Sequence, residues 1–378
     1  SGALLAQKSC LNPQTQYGAD VISRIECAQA HGAQALSACV WKAFETLTEQ
    51  CTKDAGIVAS QIGMVCIVGN TAMHHLLLGF DTKPLITPPY MPASCIAIER
   101  RGIPELPCCA GAILRVLPNI AGFVGADTVG CLCAARFDQI SELTLLIDIG
   151  TNGEMVLGSQ ARRAACSTAA GPAFEGAKIT CGMRGASGAV DHVRQENGTV
   201  LFHTVDDAPA IGLCGSGLLD LIAVLLELNI IDESGKLTCG ERYTLPGTDV
   251  FLTQKDIREV QLAKAAIRAG IELLCSHLGV RTRDIQQVLL AGAFGNYLAP
   301  ASACRIGMIP VQLLGRIRGI GNAAGDGAQR CALSRAEFER SKRLAAETEF
   351  LELASKPDFQ DRFVDALSFE EEDDDDTD

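Results

Sequence analysis

What this 378-residue chain lacks narrows its class first. No stretch reaches the ~18 consecutive apolar residues of a membrane-spanning helix. No signal peptide with charged, apolar and small-residue regions stands at its start, and no membrane partner is expected. The first residue is Ser1 rather than Met, which favours reading the sequence as a fragment or a processed product. Basic residues number 32 against 45 acidic ones and form no patch, so a nucleic-acid partner is not expected. There is no Cys-x-x-Cys, although there are 17 cysteines. Their scattered spacing matches neither a ferredoxin run nor a zinc ribbon. They read as buried small hydrophobes in a reducing, cytoplasmic setting.

Nearly half of the residues are hydrophobic, and the length suits two or three domains with ample core. The net charge is −13, but eight acidic residues fall within the last nine positions. The body is therefore only mildly acidic, and 367–378 is expected to be a disordered, solubilising tail.

The central stretch is Leu143–Gly158. Leu143–Ile147 reads as a buried strand and Met155–Leu157 as its return. Between them lie Asp148, Gly150, Thr151, Asn152 and Gly153. Asn152-Gly153 suggests a type I′ hairpin turn. Glycines let backbone N–H groups approach phosphate oxygens, Thr151 and Asn152 add donors, and Asp148 suits Mg²⁺ held through water. An ordinary surface hairpin is the plainer alternative.

Several further strand-to-helix junctions carry small or polar residues. Ile62–Val68 reads as a strand, followed by a helix capped by Thr71 and stopped by Gly79. His74 and His75 there read as surface side chains. Lys83 to Arg101 is proline-rich and reads as an irregular connection. Gly122 and Gly125 precede a helix with Asp127 in its first turn, where a carboxylate suits the helix dipole and could also face a metal or a water. Gly215 and Ser216 open a long apolar helix, a ready anion site. Asn197-Gly198 marks a second hairpin. Thr253 and Asp256 form a capping-box pattern before a helix reaching about Leu278. Gln287–Leu290 reads as a strand ending in Gly292, Ala293 and Gly295, a turn that suits an adenine ring. Asn322 opens another helix start, and Phe350–Ala354 reads as a last strand.

Together these motifs resemble the nucleotide-binding set of the superfamily of acetate and sugar kinases, Hsp70 and actin. Asp148–Glu154 resembles its second phosphate loop and Leu289–Asn296 its adenosine loop. Ala121–Thr128 and Gly321–Ala328 resemble its two connecting helices. The wording is closer still to the reductive activators of corrinoid proteins. Asn12-Pro13-Gln14, Tyr17–Ile25, Gly69-Asn70-Thr71, Gly171–Gly176, Gly212–Asp220, Gln254–Arg258 and Ala291–Tyr297 carry that likeness.

The resemblance implies an α/β fold of two related actin/Hsp70-like, ribonuclease H-like halves with a nucleotide cleft between them. The first half, 1–140, would be incomplete at its N-terminus; the second, 141–366, would carry the phosphate and adenosine loops. The implied function is the ATP-binding part of an activator that couples ATP to one-electron reduction of a Co(II) corrinoid protein to Co(I). Implied roles follow. Asp148 orients Mg²⁺ and Asp127 positions an attacking water. Gly150, Thr151, Asn152 and Gly153 hold phosphates, with Gly215, Ser216 and Asn322 as further nucleotide contacts. Gly292, Ala293 and Gly295 flank the adenosine. The implied partners are a corrinoid protein and an electron donor acting through an iron–sulfur domain; a homodimer stays open. Two expected features are absent from this sequence: the iron–sulfur domain and the first phosphate loop, an Asp-x-Gly-Thr-Thr hairpin. Hydrolysis by this chain alone is thus left open, beside a small-molecule kinase or a non-catalytic nucleotide-sensing domain.

Overall fold

The computed structural model describes residues 2–18, 20–295 and 297–369. Two compact units emerge: residues 1–138 with 323–350, and residues 139–322 with 351–378.

The first unit begins with helices α1 (Val21–His31) and α2 (Gln34–Ala55). An Asp20 capping box starts α1, its Oδ1 accepting the Ser23 N–H at 2.8 Å. Then follow β1 (Met64–Ile67), α3 (Thr71–Leu78), β2 (Ile98–Arg101), β3 (Ile113–Val116) and α4 (Ala126–Ala135). β3 is central, parallel to β1 and antiparallel to β2. The proline-rich connection therefore contains a strand, β2, whose Glu99 and Arg100 hide it from hydrophobic patterning. α3 is capped by Asn70, whose Oδ1 accepts the Met73 N–H at 2.9 Å. Thr71 instead donates its hydroxyl to the Ala121 carbonyl. His74 and His75 are buried rather than surface side chains. Gly125 is required by packing: a Cβ there would meet Asn70 Cα at 2.6 Å and Gly69 O at 2.8 Å.

In the second unit β4 (Thr144–Ile149), β5 (Gly153–Gly158) and β6 (Arg163–Thr168) form an antiparallel meander. The hairpin of β7 (Ala189–Glu196) and β8 (Thr199–Thr204) follows, turning at Asn197 and Gly198, both at positive φ. β9 (Gly212–Leu213) runs parallel to β7 and leads into α5 (Gly215–Glu227). A short antiparallel pair, β10 (Arg242–Thr244) and β11 (Phe251–Thr253), precedes α6 (Gln254–Leu278). β12 (Gln287–Ala291) then pairs parallel with β4, and after α7 (Gly292–Gly295) and α8 (Pro300–Arg305), β13 (Ile317–Gly319) pairs parallel with β12. Within this unit the main sheet is ordered β13-β12-β4-β5-β6.

α6 shows why the sheet and helix adhere. Ile257, Val260, Ile267, Ile271 and Leu274 are fully buried in the unit's core. Each such aliphatic chain contributes about 1.5–3 kcal/mol. The Thr253–Asp256 capping box is present.

The chain returns to the first unit through α9 (Ala323–Leu333), α10 (Arg335–Ala346) and β14 (Thr348–Phe350). The last strand thus lies earlier than Phe350–Ala354, and Leu353–Ser355 is a 3-10 turn. α9 crosses α4 backbone to backbone; a Cβ on Gly327 would meet Gly130 O at 2.0 Å. In the second unit α11 (Phe359–Asp365) follows, and Phe369 is buried. Lys264 donates to the Ser368 carbonyl. Residues 370–378, the rest of the expected tail, lie outside the described residues.

No helix among the described residues is long and apolar enough to cross a membrane. None of the 17 cysteines forms a disulfide. Cys10 and Cys239 are exposed, and the others are buried or half-buried.

Candidate functional site

Three parallel strands of the second unit, β4, β12 and β13, end along one sheet edge. Ligands of open α/β sheets bind outside such carboxyl ends. Asp148 lies opposite Ala291 in the β4–β12 register, with Gly292 immediately beyond. Gly292 has φ +86°, and a Cβ on it would stand 2.8 Å from Asp148 Oδ1. Only glycine leaves that carboxylate in place. The Gly292 N–H donates to the Gly321 carbonyl at 3.0 Å, which ties the third strand's exit to the same edge.

The β4–β5 turn differs from the type I′ reading. Its loop is Gly150-Thr151-Asn152, closed by the Gly150 N–H donating to the Asn152 carbonyl at 2.9 Å. Neither Asn152 nor Gly153 has positive φ. Gly153 is already in β5, and a Cβ on it would meet Thr168 Oγ1 at 2.9 Å and Ile267 Cγ1 at 3.2 Å. Packing under α6, rather than turn geometry, requires glycine there.

Beside Asp148 lies a cavity of about 680 Å³, formed within this unit. That volume falls in the range of about 300–1,000 Å³ typical of small-ligand sites. Asp148, Gly150, Gly215, Ser216 and Gly292 all line it. Gly215 and Ser216 stand at the N-terminus of α5, whose N-cap is Cys214. No side chain caps this helix and no acidic residue sits in its first turn. The Cys214 thiol instead faces the Val190 carbonyl at 3.3 Å and Ser216 Oγ at 3.4 Å. The first-turn N–H groups therefore keep their partial positive charge for an anion.

The cavity also gathers residues that the sequence did not single out as site residues: Glu175, Arg184, Asp191 and Tyr297. Thr151 Oγ1 donates to Glu175 Oε1 at 2.5 Å. This bond joins the phosphate-loop candidate to the Gly171–Gly176 stretch. Asp191 Oδ1 lies 2.7 Å from His203 Nδ1, and the hydrogen bond pushes the imidazole above its usual range. These groups were not singled out as site residues because they lie on separate loops and strands. Only the Gly171–Gly176 and Ala291–Tyr297 wording hinted at Glu175 and Tyr297.

Other candidates lie away from this lining. Asn152 and Gly153 belong to the hairpin but do not line the cavity, and Gly295 is buried against Leu290 at the end of β12. Asn322 follows Gly321 at the same sheet edge. Ala293 lies in α7, and Asn296 of the adenosine-loop candidate is outside the described residues. Asp127 belongs to the first unit, in the first turn of α4, where its N–H donates to the Gly69 carbonyl at 3.3 Å and its Oδ1 accepts the Thr128 N–H at 2.9 Å.

Among the described residues, no group of three or more His, Cys, Asp or Glu side chains is arranged as a metal cage. The cavity's donor set does fit a magnesium-bound polyphosphate. An uncapped helix N-terminus and glycine backbone suit phosphate oxygens, while three carboxylates, Asp148, Glu175 and Asp191, would repel a bare anion. Mg²⁺ typically keeps several waters and needs only one or two carboxylates.

The comparisons with known proteins agree along the chain. Residues 142–378 match the family model described as the C-terminal domain of RACo, the ASKHA domain. Residues 1–140 match the RACo middle region. The corrinoid activation enzyme RamQ of Eubacterium limosum is 36% identical over 394 residues, covering 96% of this chain and 66% of RamQ. A [Co(II) methylated amine-specific corrinoid protein] reductase of Methanosarcina barkeri is 31% identical over 217 residues, covering 52% of this chain and 40% of the relative. The solved structure of a reductive activator for corrinoid, iron–sulfur protein superposes with a TM-score of 0.87 at 33% identity, covering 97% of this chain and 62% of that one. The chain thus spans 66% or less of the length of these relatives. With its α/β fold and ASKHA domain, this chain belongs to the RACo-type family of reductive activators.

Proposed function

We propose that this chain is the ATP-binding part of a reductive activator that couples ATP binding and hydrolysis to reduction of a corrinoid protein from Co(II) to Co(I). The observation that carries the reading is the cavity of the second unit. It combines an uncapped helix N-terminus, close glycine backbone and the Asp148 carboxylate. The relatives named for corrinoid activation and reduction supply the choice of partner.

In this account Asp148 holds Mg²⁺ through water, the N–H groups of Gly215 and Ser216 receive phosphate oxygens, and Gly150, without a Cβ, leaves room for their close approach. Thr151 braces Glu175 at the rim. Gly292, Ala293 and Gly295 flank the adenosine. Asp127 is proposed to position the attacking water. ATP supplies the free energy that biases the protein between two conformations. A corrinoid protein that docks preferentially to one of them then feels the nucleotide through a coupling free energy. The electron comes from an iron–sulfur domain; one electron enters Co(II) and yields Co(I), with no atom transferred. Homodimer formation is an open part of the proposal.

The test is anaerobic absorption spectroscopy of a Co(II) corrinoid protein mixed with this chain, MgATP and a low-potential chemical reductant. The expected result is ATP-dependent growth of the Co(I) band, with free phosphate as the nucleotide product, and loss of both with Asp148→Asn. A phosphorylated small molecule in place of free phosphate would instead establish a kinase and overturn the reading.

A further inference from the structure

The cavity of the second unit carries one charge that its own fold does not use. Among the described residues, Arg184 is the only Lys or Arg that lines it, beside the carboxylates Asp148, Glu175 and Asp191. A guanidinium readily pairs with carboxylates in reach. Arg184 nevertheless makes no hydrogen bond or ion pair with any described residue, and its side chain is exposed. Two of the carboxylates are already engaged. Glu175 Oε1 accepts the Thr151 hydroxyl at 2.5 Å, and Asp191 Oδ1 lies 2.7 Å from His203 Nδ1. The donors of Arg184 are therefore open to a ligand.

The backbone that carries Arg184 is fixed. The Met183 N–H donates to the Leu213 carbonyl at 2.9 Å, and the Leu213 N–H donates to the Cys181 carbonyl at 2.8 Å. Leu213 ends β9, and Gly215 opens α5 just beyond it. On its other side the segment packs backbone to backbone on the end of the 172–175 turn. A Cβ on Gly176 would meet the Met183 carbonyl oxygen at 2.5 Å, and one on Gly182 would meet the Gly176 carbonyl oxygen at 2.1 Å. Arg184 thus stands next to both the uncapped N-terminus of α5 and the turn whose Glu175 holds Thr151. Gly185 also lines the cavity, and a Cβ on it would meet nothing within 4 Å, so the long side chain has room to swing.

We propose that Arg184 closes onto the terminal phosphate of a bound nucleoside triphosphate and makes this cavity prefer a triphosphate to a diphosphate. The inference rests on the nucleotide reading of the cavity and adds which nucleotide it selects. The helix N-terminus and Mg²⁺ serve either nucleotide. The third phosphate brings further negative charge into a cavity with three carboxylates, and Arg184 is the cation left to meet it. Its planar fork offers two parallel N–H donors to one phosphate. No internal ion pair has to break first, so closure costs little beyond side-chain entropy.

The test is isothermal titration calorimetry of MgATP and MgADP into the whole chain and into Arg184→Gln and Arg184→Lys. The parent is expected to bind MgATP at least about tenfold more tightly than MgADP, the worth of a charged hydrogen-bonded contact. Arg184→Gln is expected to bind the two within about twofold of each other, through loss of MgATP affinity. Arg184→Lys, which keeps the charge but not the fork, should lie between them. Melting without nucleotide should not change, since the side chain has no internal partner to lose. Equal affinity of the parent for the two nucleotides, an undiminished preference in Arg184→Gln, or equal weakening of both nucleotides overturns the role of Arg184 and leaves the cavity a nucleotide site. Failure of the folded parent to bind either nucleotide overturns the nucleotide reading itself, and this inference with it.

Discussion

His74 and His75 show how much a single buried side chain can govern. Burial lowers both imidazoles, His74 to about 4, whereas in the unfolded chain they titrate near 6.5. The folded state therefore binds fewer protons than the unfolded state between those values. Stability is complete above pH 6.5 and is lost as the pH falls through that window towards 4. For His74 the shift is worth roughly 3 kcal/mol. Asp81 works in the opposite direction at His75, favouring its charged form. The carboxylates of Asp20, Asp232, Asp284 and Asp358 are held below their usual range by hydrogen bonds, so their loss sets in below about pH 4. Urea titrations at pH 7 and pH 5 should show the parent losing more stability than His74→Phe. Equal losses would contradict the assignment. These histidines read as surface groups in the sequence because the 3.6-residue pattern of an eight-residue helix is too short to tell its faces apart. Only the packing of α3 in the first unit reveals them as buried. Asp148 and Gly292, by contrast, were legible one at a time. Their 2.8 Å approach was not, because it depends on the β4–β12 register across more than a hundred residues.

At the scale of elements, α6 is the clearest case of a helix written locally and reinforced remotely. Its capping box could be read from Thr253 and Asp256. The structure adds Thr180, whose N–H and hydroxyl also donate to Asp256 Oδ1, at 2.8 and 3.0 Å. A cap alone is worth about 1 kcal/mol. A fully buried carboxylate accepting four hydrogen bonds should be worth more, so Asp256→Ala is expected to cost about 2–4 kcal/mol. Thr253→Val should cost about 1 kcal/mol. Denaturant unfolding of the two variants decides, and equal costs would mean that Thr180 adds nothing. Long periodic elements such as α5 and α6 were legible in the sequence, as was the strand–turn–strand around Asp148. The short strands β2, β10 and β13 were not. Their residues are largely polar or half-exposed, and their pairing partners supply what their own pattern lacks.

For the whole molecule, nucleotide binding within the second unit is the claim on which the proposed activity rests. Gly150 offers an unusually clean probe. A Cβ there would meet nothing closer than the Asn152 carbonyl at 3.8 Å, and its φ is not in the left-handed region. A larger side chain should therefore intrude on the cavity without disturbing the hairpin. At Gly292 and Gly153, steric conflict would confuse lost binding with lost folding. The decisive measurement is isothermal titration calorimetry of MgATP into the parent chain and into Gly150→Val, with their thermal melts compared in parallel. The account predicts binding by the parent, at least about tenfold weaker affinity in the variant (a loss of about 1.4 kcal/mol or more), and unchanged melting without nucleotide. Equal affinity in the two folded proteins would place the nucleotide elsewhere and contradict the assignment of this cavity.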